Sequence, residues 1–231
     1  MSASAGTHVV VAIDGPSGSG KSSTSRGVAV KLGLRYLDTG AMYRAMTWWM
    51  LRHDVPVDQP AAIAERCGEP VIETGTDPEH PTITVDGIDV AVAIRTPEVT
   101  GAVSAVSAVP EVRARLLVLQ HAAIEGAADG PGIVVEGRDI GSVVAPDAAV
   151  KVYLTADAAA RAARRAAEEG GTDILATESS LLARDRIDSG RTTSPLTRAQ
   201  DAVHVDTTPY TLDEVVDLIV GLVQDARREM P

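Results

Sequence analysis

Residues 14–23 read "DGPSGSGKSS" and carry the spacing G-x-x-x-x-G-K-[ST] through Gly15, Gly20, Lys21 and Ser22. This is chemistry for holding a phosphate chain. Glycines let successive backbone N–H groups turn inward as an anion nest, so Gly15, Pro16, Ser17, Gly18, Ser19 and Gly20 form a candidate ATP-binding loop. A helix beginning near Ser22 aims the positive end of its dipole at the same point. Lys21 is placed to reach the β- and γ-phosphates, and the Ser22 hydroxyl is a candidate ligand for the Mg²⁺ that accompanies ATP. The loop alone leaves open whether the phosphate goes to water, to a protein or to a small acceptor.

The surrounding pattern supplies the scaffold such a loop needs. His8–Ile13 is an apolar run that ends at the loop and reads as a strand buried on both faces. Ser22–Leu32 reads as a helix stopped by Gly33, "LRYLD" as a second strand, and "TGAMYRAMTWWMLRH" as a helix with Thr39 near its start. Strand, turn, helix, strand opens a parallel α/β sheet. Residues 66–96 break the pattern: "VIET" and "TITVDGIDV" predict short strands, with Asp86-Gly87 as a hairpin turn. Thr96 caps a helix with Pro97 in its first turn, and Pro110 divides that helix from the next. "GIVVEG", "AVKVYLT" and "AVHVDTT" predict the remaining strands. "ADAAARAARRAAEEGG" predicts a helix, and "SSLLARDRIDSGRTTSPL" is a polar, Arg-rich segment with its own start and stop signals. The last helix, "TLDEVVDLIVGLVQDARR", carries an apolar stripe. The expectation is an α/β fold of about five parallel strands with helices on both sides and two excursions.

Composition narrows the partners. The 231 residues are 45% hydrophobic, enough for one sizeable core. The net charge of -11 argues against a general nucleic-acid binder, because phosphate backbones are held by excess Lys and Arg. No apolar run is long enough to span a membrane, and no basic segment followed by an apolar one marks a signal peptide. The single cysteine, Cys67, rules out an internal disulfide, which fits a cytoplasmic protein. The five histidines have no metal-ligand spacing. Guanine-selecting GTPases use N-K-x-D, and this chain contains no asparagine. The L-S-G-G-Q of transporter ATPases is missing, and a helicase would be longer with a positive track. A small kinase with a small-molecule acceptor remains.

The acceptor is read from arginines. Arg44 lies one turn into the helix after the second strand, Arg138 directly follows "IVVE", and Arg184, Arg186 and Arg191 lie in the Arg-rich segment. These are positions near the carboxyl ends of strands, where open α/β sheets bind ligands. Converging guanidiniums match a phosphate on the acceptor as well as on ATP.

The stretches "IDGPSGSGKS", "YLDTGAMYR", "IRTPEV", "VEGRDIGSVVAPDA", "KVYL" and "RDRIDSGRTTSPL" resemble those of bacterial cytidylate kinases, over about residues 8 to 228. The resemblance implies a P-loop NTP-hydrolase-type fold with a core of residues 7–38, 114–166 and 198–231. It implies a monophosphate-binding region at 39–113, containing the 66–96 insertion, and a short lid at about 167–197. It implies ATP-dependent phosphorylation of CMP and dCMP. Lys21, Arg138, Arg184 and Arg191 would serve catalysis, with Arg44, Arg138 and Arg191 holding the acceptor phosphate or the transferred phosphoryl. Ser104, Arg113 and Asp139 match cytosine-reading positions, Arg184 and Asp188 match pentose contacts, and Arg164 matches an arginine near the ATP end. Thr39 stands where many relatives carry Ser, and Ile187 where some carry a charged residue. Glu136 ends a buried strand and could hold Mg²⁺ through water or serve only structure; a part for Asp14 is equally open. A related kinase for UMP or shikimate, or a regulator that binds nucleotide without transferring phosphate, are the alternatives. A monomer is expected.

Overall fold

The apolar run after His8 forms β1 (Val9–Asp14), and its neighbours on both sides come from far down the chain. The computed structural model describes residues 8–168, 173–190 and 196–229. β2 (Arg35–Asp38), β6 (Gly132–Gly137), β7 (Val150–Thr155) and β8 (Val203–Asp206) complete a five-stranded sheet in the order β2-β6-β1-β7-β8. All four pairings are parallel, with Val11 beside Val134 on one side and Val150 on the other. β1 and β6 are buried on both faces, so neither shows the alternation of a half-exposed strand.

Two cores flank the sheet. On one face, α1 (Lys21–Leu32) and α8 (Leu212–Glu229) cover Val11, Ile13, Val134, Val152 and Leu154. They approach closely at Gly27, where a Cβ would stand 2.7 Å from Val216 Cγ2. On the other face, α2 (Thr39–Arg52), α3 (Pro60–Arg66) and α5 (Pro110–Glu125) build on Ala12, Leu37, Ile133 and Val135. That second core also takes in Ile72, Ile83 and Val85 of a small antiparallel sheet, β3 (Ile72–Thr74), β4 (Ile83–Val85) and β5 (Ile88–Asp89). The predicted insertion is therefore packed into the main core. Asp86 closes its hairpin with a positive φ of 51° and also pins it to α2: its carboxylate accepts from Trp49 Nε1 at 2.9 Å and Val71 N at 2.8 Å.

α4 (Pro97–Val106) begins as its sequence predicts, with the Thr96 hydroxyl accepting from Val99 N. α6 (Ala158–Glu168) follows β7. The first part of the polar, Arg-rich segment belongs to a 16-residue helix, α7 (Ile174–Ser189), which starts five residues before it and is capped by the Asp173 side chain. α3 and a π turn at Ile140–Val144 are further elements that the sequence pattern does not announce.

Candidate active site

The strands of the main sheet end on one side at Asp14, Asp38, Gly137 and Thr155, and the glycine loop leaves β1 at that edge. Gly15 has φ +149°, and a Cβ there would fall 2.1 Å from the Leu154 carbonyl oxygen, so only glycine lets the loop turn beside β7. Ser19 Oγ donates to Pro16 O at 3.0 Å, and Lys21 Nζ folds back to the same oxygen at 2.8 Å.

Above the loop lies a chamber of about 370 Å³. Among the described residues, Lys21, Arg26, Arg44, Arg95, Arg138, Arg165 and Arg184 line it, against two acidic side chains, Asp38 and Glu136. Burial, then Arg138, lowers the Lys21 pKa to about 7. Burial, then Arg138 and Arg44, lowers Arg184 to about 9, and burial, then Arg165 and Arg95, lowers Arg44 to about 10. Each cation is thus held with too little counter-charge, a condition that a bound polyanion relieves. Arg184 Nε is also buried without a hydrogen-bond partner among the described residues. Arg44 is oriented by Ile94 O at 3.0 Å and Thr100 Oγ1 at 2.9 Å.

Glu136 sits at the chamber floor, 2% exposed. Its carboxylate accepts from Ser22 Oγ at 3.0 Å and from the Tyr36 hydroxyl, while its carbonyl accepts from Thr39 Oγ1 at 2.7 Å. Burial is the main cause raising its pKa, to about 7. Asp14 is turned away from this work: its two oxygens accept from Ile140 N and Gly141 N, each at 2.8 Å, and fix the π turn after β6. Among the described residues no group of three or more His, Cys, Asp or Glu side chains could hold a metal ion.

Two further pockets share lining residues with the chamber. One, about 60 Å³, is walled by Thr39, Tyr43, Ser107, Arg113, Arg138, Asp139, Arg184 and Asp188. In it Arg113 pairs with Asp139, donates to Ser107 O at 3.2 Å and lies 5.4 Å from the Tyr43 ring centroid. Arg138 Nε donates to Asp188 at 3.3 Å. The other, about 350 Å³, lies on the far side of the glycine loop between α6 and the 207–215 segment. There Arg164 donates to Thr207 Oγ1 and O, both at 2.8 Å.

This geometry draws together most of the residues singled out from the sequence: the loop, Lys21, Ser22, Thr39, Arg44, Arg113, Arg138, Asp139, Arg164, Arg184 and Asp188. Ser104 is buried one turn before Ser107, and it is Ser107 that lines the pocket. Arg191 lies outside the described residues. Arg26, Asp38, Tyr43, Arg95 and Arg165 line these spaces with no sequence signal to single them out. Adjacent in sequence, Arg164 and Arg165 point to different chambers because successive helical side chains diverge by about 100°.

The model of the family described as cytidylate kinase matches residues 11–225. The chain belongs to the cytidylate kinase family. A cytidylate kinase of Streptomyces griseus is 60% identical over 221 residues, covering 96% of this chain and 95% of the relative. One from Streptomyces avermitilis is 59% identical over 219 residues, covering 95% and 94%. Among solved structures, an uncharacterized protein from Eubacterium ventriosum matches with a TM-score of 0.53 at 12% identity, covering 94% of this chain and 99% of that one, a likeness of fold alone. The glycine loop lines the wide pocket, and the Arg113–Asp139 pair lines the narrow one.

Proposed function

We propose that the chain transfers the γ-phosphoryl of ATP to CMP and dCMP, releasing ADP with CDP or dCDP. The observation that carries this reading is the buried Arg113–Asp139 pair in a narrow pocket that shares Arg138 and Arg184 with the cation-lined chamber. Cytosine offers an amino donor at C4 and acceptors at N3 and O2. Asp139 has oxygen lone pairs to accept from the amino group, and Arg113 has donors for the acceptors. Ser107 and Ser104 supply further polar groups at that corner, and Tyr43 supplies a ring wall.

The residue roles are those that the family resemblance implies, and the lining of the chamber and pockets supports them. The acceptor phosphate is held by Arg44 and Arg138, with Arg191 assigned to the same group by the family motif. Arg184 and Asp188 stand beside the pentose, and Arg164 beside the donor base. Lys21 follows the transferred phosphoryl. A phosphate nucleophile needs no strong base at neutral pH, so these residues position the reactants, neutralise charge and exclude water. The domain reading is a core carrying the loop, a monophosphate-binding region at 39–113 and a lid at about 167–197 whose helix brings Arg184 to the chamber.

The donor set near the loop fits Mg²⁺. It consists of hard oxygens, the Ser22 hydroxyl and the Glu136 carboxylate, 3.0 Å apart. Mg²⁺ is commonly held by one or two such groups with phosphates and water. Ser22 would ligate it and Glu136 would hold its water; when bound, the ion supplies charge neutralisation to the phosphates.

An acceptor panel tests the proposal. With ATP saturating, kcat/KM is measured for CMP, dCMP, UMP, AMP and shikimate. CMP and dCMP should lead, with UMP at least roughly tenfold lower, because a uracil carbonyl facing Asp139 leaves both unpaired. UMP or shikimate used as well as CMP would reject the assignment.

A further inference from the structure

Tyr36 lines neither the chamber nor the two pockets beside it, yet its hydroxyl reaches the chamber floor. The strand register explains how. Tyr36 of β2 pairs with Val134 of β6, and two residues on Asp38 pairs with Glu136. Residues two apart on a strand share a face, so all four stand on the side of the sheet that α1 and α8 cover. A long aromatic side chain spans the diagonal from its own cross-strand partner to the next one along, and the Tyr36 hydroxyl thereby donates to Glu136 Oε1. Its ring is buried in the core with Val28 and Leu34, and its backbone N–H donates to Thr76 O at 2.9 Å. The hydroxyl is therefore a fixed point.

The other carboxylate oxygen, Oε2, accepts from Ser22 Oγ at 3.0 Å. A hydroxyl that donates in one direction keeps its lone pairs for others, and Ser22 lines the chamber. Nothing about Glu136 alone holds this arrangement, because Asp38 stands opposite it in register and like charges directly opposed on neighbouring strands repel. A donor on Oε1 offsets that repulsion. Burial, then the charges of Glu136 and Asp38, push the Tyr36 hydroxyl far above the ordinary phenol range, so it stays a donor. We infer that Tyr36 is a positioning residue for the metal side of the donor site: it fixes the Glu136 carboxylate, which in turn holds the Ser22 hydroxyl with its lone pairs free for the Mg²⁺ that accompanies ATP.

The inference rests on ATP and Mg²⁺ occupying the loop, so calorimetry first measures a non-hydrolysable ATP analogue on the wild type, in EDTA and in excess Mg²⁺. No binding in either would overturn the loop reading, and this inference with it. Binding that Mg²⁺ does not tighten would overturn the inference alone. Tyr36→Phe keeps the ring and removes the hydroxyl. The metal-free Kd of the analogue and the Kd of CMP alone should stay within about twofold, while the tightening by Mg²⁺ and kcat each fall roughly tenfold, as for a partner that orients a metal ligand. In a Glu136→Gln background the same change should lower kcat no further, because Tyr36 acts through Glu136. Unchanged Mg²⁺ dependence in Tyr36→Phe, or a loss that multiplies with that of Glu136→Gln, overturns the inference. Equal weakening of the analogue and of CMP, with and without metal, overturns it too, since that is what a merely structural role gives. A measurement on the wild type guards against a variant that does not fold. Tyr36 is the most deeply buried of the four tyrosines. With these labelled at Cζ, its resonance in the protein–analogue complex should shift when Mg²⁺ is added, and no shift would also overturn the inference.

Discussion

Replacing Asp139 with asparagine should change which base the enzyme prefers. Asp139 and Arg113 are 7% and 10% exposed at their side chains, so their interaction is little screened by solvent. The introduced amide would still offer one oxygen to Arg113, which also keeps Ser107 O at 3.2 Å and the Tyr43 ring. Arg113 is therefore not stranded, and the stability loss should stay below the 3–5 kcal/mol of a fully broken buried pair, at about 1–2 kcal/mol. The effect on the substrate is larger in proportion. A hydrogen bond from the cytosine amino group to a charged acceptor is worth about 1.5–3 kcal/mol, so kcat/KM for CMP should fall roughly 10- to 150-fold. UMP should lose little, because an amide N–H can donate to its C4 carbonyl. The assay is coupled ADP release with CMP and with UMP, alongside circular dichroism and urea unfolding. The CMP-to-UMP ratio should drop at least roughly tenfold in a folded variant. If CMP and UMP fall by the same factor, Asp139 only holds Arg113 in place and does not read the base.

Lys21→Ala should lower kcat at least roughly thousandfold, about 4 kcal/mol of barrier, with an unchanged circular dichroism spectrum; near-normal turnover would reject the loop assignment. Burial lifts the Asp14 carboxyl from 3.8 to about 6, so the folded chain binds this proton more tightly than the unfolded chain. Its contribution to stability is full below about pH 4 and lost as pH rises through about 6. Urea unfolding of Asp14→Asn should therefore show the variant gaining on the wild type by up to about 3 kcal/mol between about pH 4 and pH 8, and a difference independent of pH would refute the burial account. Gly132 starts β6 at φ +121°, where a Cβ would lie 2.0 Å from Val9 O. Gly132→Ala should cost on the order of 3 kcal/mol, a melting temperature lower by roughly 6–12 °C, and an unchanged melting point would show that this strand end yields easily.

The sheet was legible because its strands are short, apolar and bounded by glycine, and because the loop motif fixes what must precede and follow it. Its strand order was not, since nothing local in "GIVVEG" says that it slides between the first two strands. α7 escaped notice for a reason tied to function. Its inward face carries Arg184 and Asp188 besides Leu181, so the side turned to the site lacks the apolar period that marks a helix facing a core. Arg26, Arg95 and Arg165 reach the chamber from three different elements. In a chain with eighteen arginines, no spacing distinguishes them from surface charges. Ser104 and Ser107 sit three residues apart on neighbouring turns, and only the corner at 107–109 decides which one lines the pocket. The Arg113–Ser107 bond across that corner shows how the chain folds back there.

The most direct test of the account follows the phosphorus itself. Wild-type protein is given ATP labelled in the γ-phosphoryl, with Mg²⁺ and with or without CMP, and the labelled products are separated. The account predicts label in CDP as the main product, one CDP per ADP formed, and only slow release of inorganic phosphate when CMP is left out. Label appearing chiefly as inorganic phosphate, or release of ADP at the same rate with and without CMP, would contradict it.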